Sequence, residues 1–325
     1  MFQRDHCVAR TARRCYFLSR LSSYRFLSLP LTLRLAAIIG AVVSLVLLGS
    51  AVRAVSQAVE LERAAARFRE LGLPASTIPI LIPVYSRPEY FRSVLEALRK
   101  NSHISESVLV ISQDGAVPEI TALIQAVDFA PTIHVRHSPP YLGIPSWFIR
   151  TDVPTASNVH FLLRCAFEYL HVPAAVILEA DIELSVDGYD YFRWAHAQVM
   201  ASPDLRTRVL TVNGFTETSS ETGDPFAFNA AKPGFMVWGW LCPNTSWPVI
   251  RRHWTWFHNW DITLEEYARR GTGRVSLAPV VSRTRNIGMQ GINFNVQDAA
   301  EQQRWLSHYT PQAAIDYRKA SLRLV

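Results

Sequence analysis

The sequence predicts an α/β protein: a mostly parallel, doubly wound sheet with flanking helices, preceded by a single transmembrane helix. Three observations predict it. Short apolar runs at Ile78–Tyr85, Val108–Gly115, Ile133–Arg136 and Ala174–Leu178 have the length and β-branched content of buried strands. Helical patterns, YFRSVLEALRK at Tyr90–Lys100 and a second at Phe161–Leu170, fall between them, and strands alternating with helices imply parallel pairing. Finally, Leu35–Val52 is an uncharged apolar run that spans about 27 Å as a helix, close to the hydrocarbon thickness of a bilayer.

The charge distribution orients that run. The formal net charge is +6, and seven arginines before Leu35 (Arg4, Arg10, Arg13, Arg14, Arg20, Arg25 and Arg34) against one acid, Asp5, account for all of it. The rest of the chain is balanced, so the basic composition does not indicate a nucleic-acid face, and no nucleic-acid partner is expected. Positive charge ahead of the span predicts a cytosolic tail over 1–34, a signal anchor over 35–52 and a luminal remainder. An Arg- and Ser-rich, acid-poor leader also has the composition of an organelle transit peptide. Ala54–Leu71 is rich in Ala, Glu, Arg and Leu and is expected to be helical, either as a stem over 53–76 or as an extension of the anchor. About 250 residues follow in one domain, 77–325, enough to bury a large core. Cys165 and Cys242, the two cysteines beyond the leader, are either bridged or buried as thiols, with buried thiols favoured. Asn244-Thr245-Ser246 is a glycosylation sequon, followed unfavourably by Trp247 and Pro248.

Chemistry is expected at the strand ends. The run Val176-Ile177-Leu178-Glu179-Ala180-Asp181 carries a strand into two acids, and strand alternation would point Glu179 and Asp181 the same way. Ligands of open α/β sheets sit beyond the carboxyl ends of the strands. A hard cation carrying phosphates is often held there by one or two carboxylates. Arg87 and Asp114 end the first two strands and would share that edge; Arg87 offers a fork for phosphate oxygens, and Asp114 an acceptor for a base or ribose. Ser86 is a plausible cap for the following helix, with Pro88 in its first turn. The plainer alternative is a set of solvated or capping side chains.

Three later stretches add candidates. Lys232–Trp240 contains Trp238 and Trp240, each either a sugar-facing ring or core, and Trp254–Asp261 is an aromatic run that ends in Trp260 and Asp261. Asp261, after so many aromatics, is expected against an apolar wall as a general base, or else as a helix cap before Thr263-Leu264-Glu265-Glu266. Pro279–Asn293 holds Gly288 and Gly291, suited to a loop that moves or approaches a ligand closely.

These blocks, in this order, resemble the N-acetylglucosaminyltransferase I family and its relative that extends O-linked mannose, inverting enzymes of the glycosyltransferase-A fold. The resemblance rests on Ile80–Arg87, Ser112-Gln113-Asp114, Pro173–Asp181, Pro233–Trp240, Trp260-Asp261 and Ser282–Asn293. It implies Asp181 as the metal ligand, with Mn²⁺ as cofactor, and Glu179 at the donor sugar. It also implies Arg87 and Asp114 at the nucleotide of UDP-GlcNAc, Asn293 at the donor phosphates, Trp238 and Trp260 as further donor-site residues, and Asp261 as catalytic base. The implied acceptor is a mannose hydroxyl of a glycoprotein glycan, β-1,2-linked, and the implied location is the Golgi membrane. Three positions depart from the pattern: Ala180 stands where the family has an acid, Asn158 where it has a histidine, and Ile262 where it has a second Asp after the catalytic one. The resemblance runs from Ile78 to Val296, and the relatives continue into a smaller C-terminal domain, which bears on acceptor choice more than on donor chemistry. The alternatives are a related enzyme with another donor or acceptor, and a non-catalytic luminal glycan-binding protein.

Overall fold

A computed structural model of the chain describes residues 30–138, 153–230, 234–255, 259–289, 298–318 and 320–325. The chain divides into two compact units, Met1–Val55 and Ser56–Val325. The first helix, α1 (Leu31–Glu70), is continuous over 40 residues. Its apolar window has a mean hydropathy of 2.5 with none of it buried, so this helix is long and apolar enough to cross a membrane. Residues of α1 from Ser56 onward belong to the second unit, where Leu61, Ala64 and Ala65 are buried. There Glu60 accepts the backbone amide of Arg136, and Gln57 donates to the carbonyl of Ser138.

The second unit is built on a sheet of nine strands. These are β1 (Ile80–Val84), β2 (Leu109–Asp114), β3 (Thr132–His137), β4 (Ala174–Ile177), β6 (Val209–Asn213), β7 (Ala227–Asn229), β8 (Trp240–Pro243), β9 (Val275–Pro279) and β11 (Arg323–Leu324). The order across the sheet is β11-β7-β9-β6-β8-β4-β1-β2-β3, and β5 (Ile182–Leu184) pairs separately with β10 (Thr284–Asn286). The pairs β3–β2, β2–β1, β1–β4 and β6–β9 are parallel, while β8 runs antiparallel between β4 and β6. The mostly parallel, helix-flanked sheet expected from the sequence is therefore observed, with antiparallel strands in its second half.

Both faces of the sheet are covered, which is why its central strands read as continuous apolar runs. Ile80, Ile82 and Val84 face one core with α2 (Pro88–Arg99), α3 (Pro118–Gln125) and α5 (Gly188–Ala201). Leu81, Val110, Ile133 and Ile177 face the other, with Leu61 of α1 and Val159, Leu162 and Leu163 of α4 (Val153–Arg164). Helix α4 starts well before the expected Phe161, because Pro154 is tolerated in a first turn, and it widens into a π-helical turn at Cys165–Tyr169. Cys165 and Cys242 are buried thiols, and burial pushes the Cys165 thiol up to about 12.

One charged network closes the far side of this core. Arg283 and Asp187 are wholly buried and paired, with Nε donating to Oδ2 at 3.0 Å. Arg283 also donates to the carbonyls of Pro225 and Val281, while Ser185 and Tyr317 donate to Asp187 at 2.7 and 2.6 Å. Burial raises the Tyr317 hydroxyl, so it stays protonated and can donate. The network joins the β5–α5 turn, the segment entering β10 and the chain near residue 317. Removing one member of a buried pair leaves an uncompensated charge, so Asp187→Ala should destabilise the fold by about 3–5 kcal/mol, read as a lowered thermal midpoint. Tyr317→Phe should cost only about 1 kcal/mol, as for one hydrogen bond.

Candidate active site

The acids after β4 are not presented as the sequence suggests. Strand β4 ends at Ile177, and Glu179 to Ile182 form a tight turn in which the Ile182 amide donates to the Glu179 carbonyl at 3.0 Å. Strand alternation therefore does not orient Glu179 and Asp181; a turn does. The turn is pinned from the far side of the sequence, where the Ile287 amide donates to the Asp181 carbonyl at 2.9 Å. Gly288 comes so close that a Cβ there would lie 2.4 Å from Asp181 Oδ2. Its glycine is required by that contact, and its own amide is held by Asn286 Oδ1 at 2.8 Å.

Arg87 meets the same carboxylate from the end of β1, donating through Nη2 to Asp181 Oδ2 at 2.9 Å. Ser86 is not the helix cap. Arg87 occupies that position in a left-handed conformation, φ 64° and ψ 64°, which non-glycine residues rarely adopt. Such strain persists where the surroundings enforce it, and it clusters at functional sites. Parallel pairing of Leu81 with Ile177 brings the two strand ends together, so Arg87 and Asp181 become neighbours although 94 residues apart.

Asp114, at the end of β2, is buried and is hydrogen-bonded to His137 at the end of β3. The other ring nitrogen of His137 lies 3.0 Å from Ser157 Oγ on α4. Asn158 donates to the Ser112 carbonyl at 3.3 Å rather than toward the strand ends. His137 and Ser157 were not candidates from sequence. His137 lies one residue beyond the expected third strand, and Ser157 sits in a helical turn expected only further on.

Trp260 is 5% exposed and stacked on Trp240, with ring centroids 5.9 Å apart, and Phe235 meets it edge-on. It is a core ring, packed away from the donor-site position that the resemblance implies. Trp238 is half-buried against Phe215 at 4.5 Å. Asp261 follows Trp260 in the first turn of a short helix, α6 (Trp260–Ile262), whose cap position is held by Asn259; Asp261 is therefore not the cap. Its Oδ1 is buried and has no hydrogen-bond partner among the described residues. Trp240 opposes Ile177 across the β4–β8 pair, so the ring on which Trp260 stacks stands at the end of β4, and Asp261 follows Trp260 in the chain. Asn293 and Trp256 to His258 lie outside the described residues.

Among the described residues no three His, Cys, Asp or Glu side chains converge on one metal position. A cation at this edge would thus draw most of its ligands from substrate, as Mg²⁺- and Mn²⁺-type ions with one carboxylate and phosphate oxygens do. Asp181 fits that role. Its carboxylate is 13% exposed and is held from both sides, by Arg87 and by the close-packed Gly288.

Comparison with known proteins finds relatives over part of the chain. Residues 54–141, which include Arg87 and Asp114, match the family model of N-acetylglucosaminyltransferase II. The chain is 39% identical over 56 residues to a rat alpha-1,6-mannosyl-glycoprotein 2-beta-N-acetylglucosaminyltransferase, covering 17% of this chain and 13% of that protein. It is 24% identical over 229 residues to an Arabidopsis thaliana alpha-1,3-mannosyl-glycoprotein 2-beta-N-acetylglucosaminyltransferase, covering 65% and 47%. The chain thus spans about half, or less, of the length of these relatives. Among solved structures, a Pyrobaculum calidifontis mannosyltransferase in complex with GDP-Man and Mn²⁺ aligns with a TM-score of 0.40 at 12% identity, over 74% of this chain and 67% of that one. The sequence relatives are N-acetylglucosaminyltransferases that act on mannosyl-glycoproteins, and this chain is similar to them over a stretch that contains two of its strand-end candidates.

Proposed function

We propose that the chain is an inverting, metal-dependent glycosyltransferase that moves N-acetylglucosamine from UDP-GlcNAc to a mannose hydroxyl of a glycoprotein glycan, forming a β-1,2 linkage. The observation that carries this reading is the Arg87–Asp181 pair at 2.9 Å, which holds a phosphate-binding fork and a cation-binding carboxylate together at the carboxyl edge of the sheet. The similarity over residues 54–141 supports the choice of sugar and acceptor.

In this reading Asp181 holds Mn²⁺, Arg87 binds the diphosphate, Asp114 takes the nucleobase, and Glu179 and Trp238 contact the donor sugar. Asn293 joins them at the donor phosphates. The bound ion supplies charge neutralisation for the departing diphosphate. Asp261 accepts the proton of the acceptor hydroxyl as that oxygen attacks the anomeric carbon from the face opposite UDP. The new carbon–oxygen bond forms as the bond to the diphosphate breaks, and configuration inverts. The buried Oδ1 of Asp261, without a hydrogen-bond partner among the described residues, supports this role, because a base needs an oxygen that is not engaged elsewhere. The apolar helix over 35–52 and the arginines ahead of it support a type II membrane protein with its catalytic domain in the Golgi lumen.

Two measurements test the assignment. Asp261→Asn should lower transfer from UDP-GlcNAc to a mannose-terminated glycan by about 10²–10⁴-fold while UDP binding is retained; transfer that survives the change removes Asp261 as base. Chelation with EDTA should abolish transfer by the wild-type chain, and added Mn²⁺ should restore it. Asp181→Ala should resist that restoration, and full activity of this variant would exclude Asp181 as the ligand.

A further inference from the structure

Three neighbouring strand ends form a row whose parts are not explained by diphosphate or metal binding. Val84 of β1 lies opposite Gln113 of β2, so the next position in register brings Tyr85 beside Asp114. Asp114 in turn lies opposite His137 of β3. Tyr85, Asp114 and His137 therefore stand side by side across β1, β2 and β3.

Each has an unusual state. Tyr85 is a large aromatic ring left 62% exposed at the end of an otherwise buried strand. Its ring lies over Gly115, where a Cβ would come within 3.3 Å of Cε2 and where φ is +69°, so a side chain is disfavoured beneath it on two counts. Asp114 and His137 are both buried and bonded to each other through Oδ1 and Nδ1. A carboxylate only accepts, so Nδ1–H donates to it, and Ser157 occupies the opposite ring nitrogen at 3.0 Å. The same order of groups activates a serine in hydrolases, but Ser157 lies within α4 and not at the strand ends. His137 engages Oδ1 of Asp114, so Oδ2 is the oxygen that a ligand at this edge would meet.

We infer that Tyr85 and His137 complete the nucleobase subsite: Tyr85 is the stacking platform, and His137 sets base choice by occupying one oxygen of Asp114 so that the other accepts a single imide N–H. This inference rests on the nucleotide-sugar reading above and deepens it. Uracil presents one such N–H at N3, between two carbonyls. Guanine presents two adjacent donors on that edge and needs both carboxylate oxygens for a matched pair. An aromatic platform is indifferent to base identity, because every base has a π-face. Selectivity therefore lies with Asp114 as set by His137, and affinity with Tyr85. His137 is a positioning residue: it acts through Asp114.

Calorimetry on the full chain in detergent with Mn²⁺ tests this, using UDP, N3-methyl-UDP and GDP as probes. The wild type should bind UDP about tenfold or more tightly than N3-methyl-UDP, the size expected for one hydrogen bond to a charged group. His137→Ala should reduce that discrimination to less than about threefold and narrow the UDP-to-GDP ratio, while His137→Asn, which can still donate to Asp114, should recover it. Tyr85→Ala should weaken UDP and N3-methyl-UDP equally, by about tenfold, and Tyr85→Phe should not. A merely structural role for His137 would lower all affinities together and leave the ratios unchanged. The inference is overturned if the wild type binds UDP and N3-methyl-UDP equally, if His137→Ala keeps full discrimination, or if Tyr85→Ala binds as tightly as wild type. Absence of UDP binding by the wild type would instead overturn the nucleotide-sugar reading, and this inference with it.

Discussion

The position of β4 between β1 and β8 is the constraint on which the site depends. Ile177, its last residue, is opposite Leu81 on one side and Trp240 on the other. The parallel partner delivers Arg87 to Asp181. The antiparallel partner delivers Trp240, on which Trp260 stacks, and Asp261 follows Trp260 directly. A one-residue slip of β4 would turn its buried side chains to the opposite face, and both cores oppose such a slip. The hydrophobic pattern of four residues, Ala174 to Ile177, thus sets the geometry of two carboxylates 80 positions apart in the chain.

Among the candidate side chains, Asp114 ends strand β2, while the others stand on irregular or short elements. Arg87 is left-handed, Glu179 to Asp181 lie in a tight turn, and Asp261 opens a short helix that passes at once into a π-helical segment, Thr263–Arg269. Wider helical turns recur at functional positions. Each irregular element is fixed by contacts distant in sequence: Ile287 and Gly288 against Asp181, Trp240 beneath Trp260, and His137 against Asp114. The rigidity of the site therefore comes from the sheet beneath it rather than from the local conformational preference of the residues that do the chemistry.

That division explains what could be read from sequence. Strands β1, β2, β3 and β4 were legible because each is a short apolar run bounded by turn residues; burial on both faces made β1, β2 and β4 continuous, while the edge strand β3 alternates. The strand-end positions of Arg87, Asp114 and Asp181 followed from them. The turn at Glu179–Ile182 was not legible, since Val-Ile-Leu-Glu-Ala-Asp-Ile-Glu reads as one alternating strand until Ile287 and Gly288 are folded against it. Trp260 was expected at the donor site, and only its partner Trp240 shows that it packs in the core. The buried Arg283–Asp187 pair was invisible for the same reason: nothing local marks a charge as fully enclosed when its counter-ion lies 96 residues away. The His137–Asp114 bond depends on β2–β3 register, which a single sequence does not specify.

The central claim is that Asp181 and Asp261 serve one reaction from one edge of the sheet. A crystal structure of the chain with Mn²⁺, UDP and a mannose-terminated glycan tests it most directly. The account predicts the ion on Asp181, the diphosphate on Arg87, and the acceptor hydroxyl within hydrogen-bonding distance of Asp261 Oδ1 on the side away from UDP. A nucleotide bound elsewhere, or an acceptor whose hydroxyl is out of reach of Asp261, would contradict it.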